Sequence, residues 1–428
     1  MIKKYFNFFK KDLFRINRSI TGNGVRKTLL LMQDKIPELK IKKINCGKKV
    51  YDWKIPAEWI IKEAYVLDKN KKKIIDFKKN NLHVVGYSKP INKILYKKAL
   101  LKKIHSLRRL PNAIPYMTSY YKRDWGFCIS YKQKKQLENE YSDSDKFFVK
   151  IKSNFKKKGH LNYGEVILKG ASKKEILIST YICHPSMANN ELSGPLVSVL
   201  LINYFKKKRL NKTLRFVFIP ETIGSIGYIY NNYEKLKKNV IGGYNLSCIG
   251  DNRMHSCMFS KNKGAPSDEA IIDSYKKLKI KDYKIYPFLE RGSDERQYNS
   301  PGIDLNISSI FRTKYMKYKE YHTSLDDFKL VTIKGITGGF KVAKTSIEIL
   351  QKLIIPECRL YCEPFLQKRG IYNNLFLKKN LLNVKDVLNF LQYADGKNTL
   401  QKISKEIKLN LSKSYELYKF LLSKKLIK

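Results

Sequence analysis

Residues Leu177 to Leu200, LISTYICHPSMANNELSGPLVSVL, constrain the fold of this chain more than any other stretch. An apolar, β-rich run from Ile176 to Cys183 ends in His184 and Pro185. A polar turn follows, Ser186 to Glu191, and Ser193-Gly194-Pro195 opens a second apolar run, Leu196 to Tyr204, with helical spacing. Strand, loop and helix in that order form the βα unit of an open α/β sheet, whose ligands bind beyond the carboxyl ends of the strands. His184 stands at that edge. There it is either a metal or substrate contact or a loop histidine satisfied by hydrogen bonds.

The same alternation runs on from about residue 149. Strands are expected over Phe147–Ile151, Tyr163–Leu168, Glu175–Tyr181, Thr213–Ile219, Val240–Ile249 and Ile303–Ile307, and helices over Ser225–Leu236, Asp268–Lys277 and Val331–Leu353. This predicts an α/β fold with a mostly parallel sheet and helices on both faces. Residues 1–45 are expected to be helical, with Tyr5, Phe8, Phe9, Leu13 and Phe14 on one face and a break at Thr21–Gly24. Residues 46–148 differ in texture. Short apolar runs around Trp53, Trp59, Ile74–Phe77 and His83–Tyr87 are punctuated by Pro56, Pro90, Pro111 and Pro115, which reads as an inserted β-rich domain forming its own compact lobe. Past Pro356 three short helical patterns, Val384–Tyr393, Thr399–Ile407 and Ser412–Leu422, suit a winged-helix-like module over 359–428. The α/β core is then 1–45 together with 149–355.

Charge narrows the partners. The 87 Lys+Arg against 37 Asp+Glu give a formal charge of +50, which first suggests nucleic acid. The lysines run from Lys3 to Lys428 without a dominant block, and Asn, Ile and Tyr are abundant as well, so coding composition is the simpler source. The last helical pattern carries lysines but no arginine, the commonest reader of guanine. Nucleic acid is therefore disfavoured as a partner, and a protein partner through the C-terminal module is preferred. Seven scattered cysteines without a CxxC motif fit free thiols in a reducing cytoplasm. The first residues lack a signal-peptide pattern, and no apolar run reaches the ~20 residues of a membrane span. A cytoplasmic protein with no membrane span is expected.

Candidate chemistry falls at strand ends and polar loops: His184, the turn Asn189-Asn190-Glu191, Glu221, Asp251, and the segments RGSDERQY (291–298) and YHTSLDD (321–327). A hydrolytic metal site needs His and carboxylate ligands from separate strands, and a further carboxylate to take a proton from water. His184 and His322 are candidate nitrogen ligands and Glu221 a candidate base. Each has a plainer alternative: Glu221 as a helix cap, Asp294 and Glu295 as a solvated turn, His322 as a loop histidine.

Taken in order, the motifs are His184-Pro185-x-x-x-Asn189-Asn190-x-x-Ser193-Gly194, Pro220-Glu221-x-x-Gly224-Ser225-x-Gly227, Gly292-Ser293-Asp294 and Tyr321-His322-Thr323-x-x-Asp326. This pattern resembles the zinc aminopeptidases of metallopeptidase family 28. More closely, it is similar to a bacterial branch of aminopeptidase-like proteins linked to surface polysaccharide biosynthesis, with an insertion near the N-terminus and a C-terminal winged helix. Asn17-Arg18-Ser19-Ile20-Thr21-Gly22, the string Asn81 to Ser88, Cys183-His184-Pro185-Ser186 and Gly370-Ile371-Tyr372 extend the resemblance over nearly the whole chain.

The resemblance implies His184 as first metal ligand, His322 as last and Glu221 as general base. It also shows departures. The bridging aspartate falls at Asn190, the second glutamate at Thr222 and a further aspartate ligand at Ser247, and amide or hydroxyl oxygens are weak zinc ligands. One zinc ion is expected rather than two, held by His184, His322 and an oxygen from Asn190, Glu191 or Asp251. The expected function is hydrolysis of a small peptide or amide substrate. The alternatives are an inactive aminopeptidase-fold scaffold, with Glu221 drawn onto the metal, and, behind both, a winged-helix DNA-binding regulator. The two histidines, 138 residues apart in sequence, are expected to converge on one ion.

Overall fold

A computed structural model describes residues 1–371 and 383–428. Tyr372, the last residue of the Gly-Ile-Tyr string, lies outside the described residues. The chain forms two compact units, Met1–Ile347 and Glu348–Lys428.

Sixteen strands occur among the described residues. In chain order they are β1 Lys40–Asn45, β2 Lys49–Val50, β3 Trp53–Lys54, β4 Glu58–Leu67, β5 Lys73–Asp76, β6 Ile91–Tyr96, β7 Ile104–His105, β8 Phe127–Cys128, β9 Lys146–Lys156, β10 His160–Leu168, β11 Ser172–Tyr181, β12 Lys212–Ile219, β13 Val240–Leu246, β14 Ser256–Met258, β15 Lys284–Tyr286 and β16 Ile307–Phe311. Eight of them make the main sheet, in the order β1-β10-β12-β11-β13-β16-β14-β15. Its centre is parallel: β11 pairs with β12 on one side and β13 on the other, and β13 pairs with β16. Strands covered on both faces read as unbroken apolar runs, and β12 is buried at every position. Each fully buried Leu or Ile here, such as Leu177 or Leu214, contributes roughly 2 kcal/mol.

Four sequence expectations shift. Residues 40–45, expected as helix, form the edge strand β1, because Ile44 meets Leu161 across an antiparallel pair and is buried there. Phe147–Ile151 lies within β9, which pairs with β4 and β6 in a separate four-stranded sheet, so the domain boundary expected at 148 cuts a strand. By sheet membership the inserted segment runs on to Lys156. The strand expected over Ile303–Ile307 instead occupies Ile307–Phe311. Asp304 and Asn306 have φ of 44° and 56°, a turn that strand geometry excludes. The strand expected to reach Ile249 stops at Leu246, close to Cys248 at φ 48°.

Trp53 and Val84 stand outside the main sheet, in β3 and in an isolated bridge to Phe127. The inserted segment is nonetheless bonded to the core by packing. Trp59, Val84, Phe127 and Phe147 share one buried apolar cluster with Leu161, Leu177 and Ile219.

In the second unit, helices Val384–Tyr393, Leu400–Glu406 and Leu411–Ser423 enclose their own core of Val387, Phe390, Ile403, Leu417 and Leu421. The last two helices, and the first as well, open on side-chain caps from Thr399, Asn410 and Asn383. Bridges Glu357↔Asp395 and Cys358↔Ile427 close the module.

Candidate active site

The site lies where β11 and β12 end. β11 delivers Tyr181, and His184 follows three residues later, 2% exposed. Its imidazole is held on one side only. Nδ1 lies 2.8 Å from Oε2 of Glu191, with the Cys183 sulfur 3.4 Å away on the same nitrogen. Nδ1–H donates to the carboxylate, and Nε2 is left without a hydrogen-bond partner, 3.7 Å from Oε2 of Glu221. Cys183, His184 and Glu191 have ligand atoms within 4.8 Å of one another. Because Cys183 and Glu191 both address Nδ1, that group orients the histidine and does not itself face Glu221.

Burial opposes a charged His184, but Cys183, Tyr116 and Glu191 more than reverse this and hold its proton affinity well above the ordinary imidazole value. Burial pushes the Cys183 thiol and the Tyr116 phenol up to about 12. His322 is the opposite case. Burial, then the charge on His184, keeps it well below the usual value, hence neutral.

The two histidines do meet. Their ring centroids are 5.3 Å apart, and His322 Nε2 is buried with no hydrogen-bond partner. His322 sits at φ 55° and stacks on Tyr321 at 3.9 Å. The third wall comes from the inserted segment. Tyr116 approaches His184 at 5.0 Å and His322 at 5.2 Å, and its backbone N–H donates to the His322 carbonyl. Nothing in the sequence around Pro115-Tyr116 marks that role.

Asp326 builds the turn that carries the candidate oxygen ligands. Its carboxylate accepts from the backbone N–H groups of Ala188, Asn189 and Asn190 and from the Tyr318 hydroxyl, which satisfies the open donors at the start of a helix. Burial pushes its carboxyl up to about 6 against the pull of those donors. Asn190 donates its amide to the Tyr181 hydroxyl, and its Oδ1 is buried without a donor. The two competing residues are engaged elsewhere. Glu191 holds His184 through Oε2, while its Oε1 is buried without a hydrogen-bond partner, 3.8 Å from Arg18 Nε. Asp251 is saturated by Asn189 Nδ2, the Arg253 and Thr313 N–H groups and the Thr313 hydroxyl.

Glu221 follows β12 and Pro220. Its Oε1 accepts from the Ser293 hydroxyl at 2.7 Å, and its backbone N–H donates to the Cys183 sulfur. Burial raises its carboxyl, while His184, Ser293 and Arg296 act in the other direction. Thr222 follows at φ 62° and ψ −81°, a conformation that costs a β-branched residue about 1–3 kcal/mol and persists only where the surroundings impose it. They do so here: Thr222 N–H donates to Asp294 Oδ1 at 2.7 Å, and its hydroxyl accepts from Arg296 at 2.7 Å. Ser247 is buried with an unpartnered hydroxyl. Asp294, which burial and then the charge of Glu221 push up to about 8, is no solvated turn residue but is fully buried.

Arg18 is the second residue whose role the sequence did not disclose. It is 1% exposed, donates Nε to the His184 carbonyl at 3.0 Å and Nη1 to Leu13, and lies 3.8 Å from Glu191 Oε1. A buried arginine gives no periodic signal, so only its place within Asn17–Gly22 hinted at it.

A family profile described as a domain of unknown function, DUF4910, matches residues 7–352, and a winged helix-turn-helix profile matches 354–428. A relative from Clostridium acetobutylicum, provisionally named a polysaccharide biosynthesis protein with aminopeptidase-like domain, is 38% identical over 403 residues, covering 92% of this chain and 89% of its own. A crystal structure from the same organism, of a protein provisionally named a peptidase, superposes with a TM-score of 0.78 at 35% identity, covering 100% of this chain and 96% of that one. BSAP, a zinc aminopeptidase from Bacillus subtilis, shares the fold with a TM-score of 0.60 at 14% identity, over 81% of this chain and 93% of its own.

Proposed function

The chain belongs to the DUF4910 family, with an aminopeptidase-type α/β fold and a C-terminal winged helix, and from that premise we propose that it is a metal-dependent hydrolase of an amide or peptide-like bond, with one zinc ion and Glu221 as general base. The observation that carries this reading is the pair of free imidazole nitrogens. His184 keeps Nε2 free of any hydrogen bond, 3.7 Å from Glu221, where a metal would displace its proton, and His322 buries an unpartnered Nε2 next to the same ring. A buried polar atom without a partner is costly unless something else binds it. Asn190 Oδ1 has the same property, as does Glu191 Oε1, but Glu191 is tied to His184 Nδ1 through Oε2 and lies beside Arg18, and Asp251 is engaged at both oxygens, so the proposed ligand set is His184, His322 and Asn190. Two imidazoles and an oxygen with an open fourth position suit catalytic zinc.

Zinc bound there would polarise the amide carbonyl and make a water molecule more acidic. Glu221 takes a proton from the attacking water and returns it to the leaving amine. Ser293 holds the other carboxylate oxygen, which keeps Oε2 turned toward His184. Tyr116 covers both histidines and excludes solvent from them.

The relative's name supports a role in polysaccharide biosynthesis. No helix among the described residues is long and apolar enough to cross a membrane. The seven free cysteines support a reducing, cytoplasmic setting. The winged helix takes a protein partner in this account, since helix Leu411–Ser423 offers lysines and no arginine for base reading.

The test is amide hydrolysis with and without metal. Wild-type turnover should vanish with a chelator and return with zinc. Glu221→Gln should keep zinc and lose turnover by about 10²–10⁴-fold. Loss of zinc in Glu221→Gln would make Glu221 a ligand and the protein a binding scaffold.

A further inference from the structure

The turn Gly292-Ser293-Asp294 is clamped to the end of β12. Ser293 donates to Glu221, and Asp294 accepts from Thr222 N–H and from the Ser225 hydroxyl. Arg296 follows on the short helix Glu295–Tyr298 and is carried to the same edge, where Nη2 donates to the Thr222 hydroxyl at 2.7 Å. Its Nε is buried and has no hydrogen-bond partner. Among the described residues this guanidinium makes one side-chain hydrogen bond and no ion pair. Glu221, whose carboxyl feels the Arg296 charge, already has one oxygen on Ser293 and the other toward His184.

A guanidinium has five N–H donors in a planar fork that matches a carboxylate with two parallel bonds. Here one donor is used, one is buried and without a partner, and the charge acts on the Glu221 carboxylate without a direct ion pair. A substrate ammonium group brought to this point would meet a fixed positive charge, whereas a carboxylate would satisfy both the charge and the free donors. Thr222 cannot serve instead, since its hydroxyl is already committed to the same arginine.

We propose that Arg296 binds a carboxylate on the substrate beside the scissile amide, so that the substrate is an amide flanked by an anion, an N-acyl amino acid or a comparable N-acyl acid, and not one flanked by a free amine. This rests on the hydrolase reading of the same site, and it names that site's substrate class.

The experiment is equilibrium binding of three small probes to the full chain: N-acetyl-L-alanine, its neutral amide N-acetyl-L-alaninamide, and the cation L-alaninamide. Each is measured with zinc-loaded and with chelator-treated protein. The wild type should bind N-acetyl-L-alanine at least tenfold tighter than either amide. Arg296→Gln should bring that ratio to about one, and Arg296→Lys, which keeps the charge without the fork, should fall between. The wild-type ratio needs no variant to fold, so it stands even if Arg296→Gln does not. A wild-type ratio near one, preference for L-alaninamide, no measurable binding of N-acetyl-L-alanine, or a ratio unchanged in a folded Arg296→Gln would each overturn the proposal. Zinc content is read on the same samples. Carboxylate preference in protein that takes up no zinc would sink the metal reading alone, and zinc uptake without carboxylate preference would sink this one alone.

Discussion

His184 Nδ1 and Glu191 Oε2 lie 2.8 Å apart in the buried core, and that contact decides which ring nitrogen faces Glu221. A carboxylate on the far side of a ligand imidazole fixes its tautomer and raises its basicity, and loss of such a partner commonly costs 10–100-fold in metal affinity. Glu191→Gln keeps the shape and removes the charge. Zinc affinity by competition with a chromophoric chelator is expected to fall by about that 10–100-fold, with the circular dichroism spectrum unchanged. Unchanged affinity would mean that Glu191 is not the partner that prepares His184.

Arg18 ties the N-terminal segment to the same histidine. Its guanidinium, buried, spans the His184 and Leu13 carbonyls and approaches Glu191. Arg18→Met fills similar space but strands Glu191 and two carbonyls in the core. Removing one partner of a buried pair is expected to cost about 3–5 kcal/mol. Urea denaturation of the full chain measures this, and a loss under about 1 kcal/mol would show the network to be dispensable.

A pH effect is expected away from the site, at Asp268. This residue is 1% exposed in the first turn of helix Pro266–Lys277 and accepts from Ser260 and Ser308. Burial outweighs those donors and pushes its carboxyl from 3.8 to about 6. The folded chain therefore keeps a proton that the unfolded chain releases. Its contribution is fully present below pH 4 and is lost as pH rises to about 6, by at most about 3 kcal/mol. The difference in unfolding free energy between wild type and Asp268→Asn, followed from pH 4 to 7, isolates this from the other carboxylates. It should move toward the Asn variant as pH rises, and a flat difference would contradict the assignment.

Much of this was legible in the sequence for a physical reason. The parallel centre of the sheet is buried on both faces, so β11 and β12 appear as continuous apolar runs, and their ends locate His184 and Glu221. The closeness of the His184 and His322 rings is an expectation of the family resemblance, which spacing alone does not give. What stayed hidden has no periodic signal. Edge strand β1 buries only Ile44 fully and reads as Lys-Ile-Lys-Lys-Ile-Asn. β14 and β15 are three residues each, too short to declare themselves. Which sheet β9 joins was hidden as well, because its half-buried alternation does not name its partners β4 and β6, which are a matter of tertiary pairing. Tyr116, Arg18 and Arg296 act through contacts spanning up to 206 residues of sequence, such as that of Tyr116 with His322.

The central claim is that His184 and His322 hold one metal ion while Glu221 does not. Calorimetric zinc titration of the metal-free full chain tests it directly, beside His184→Ala, His322→Ala and Glu221→Gln, each first shown to be folded by its thermal transition. The account predicts one tight zinc in the wild type and in Glu221→Gln, and at least a hundredfold weaker binding in each histidine variant. Tight one-to-one zinc binding that survives both histidine substitutions would contradict it.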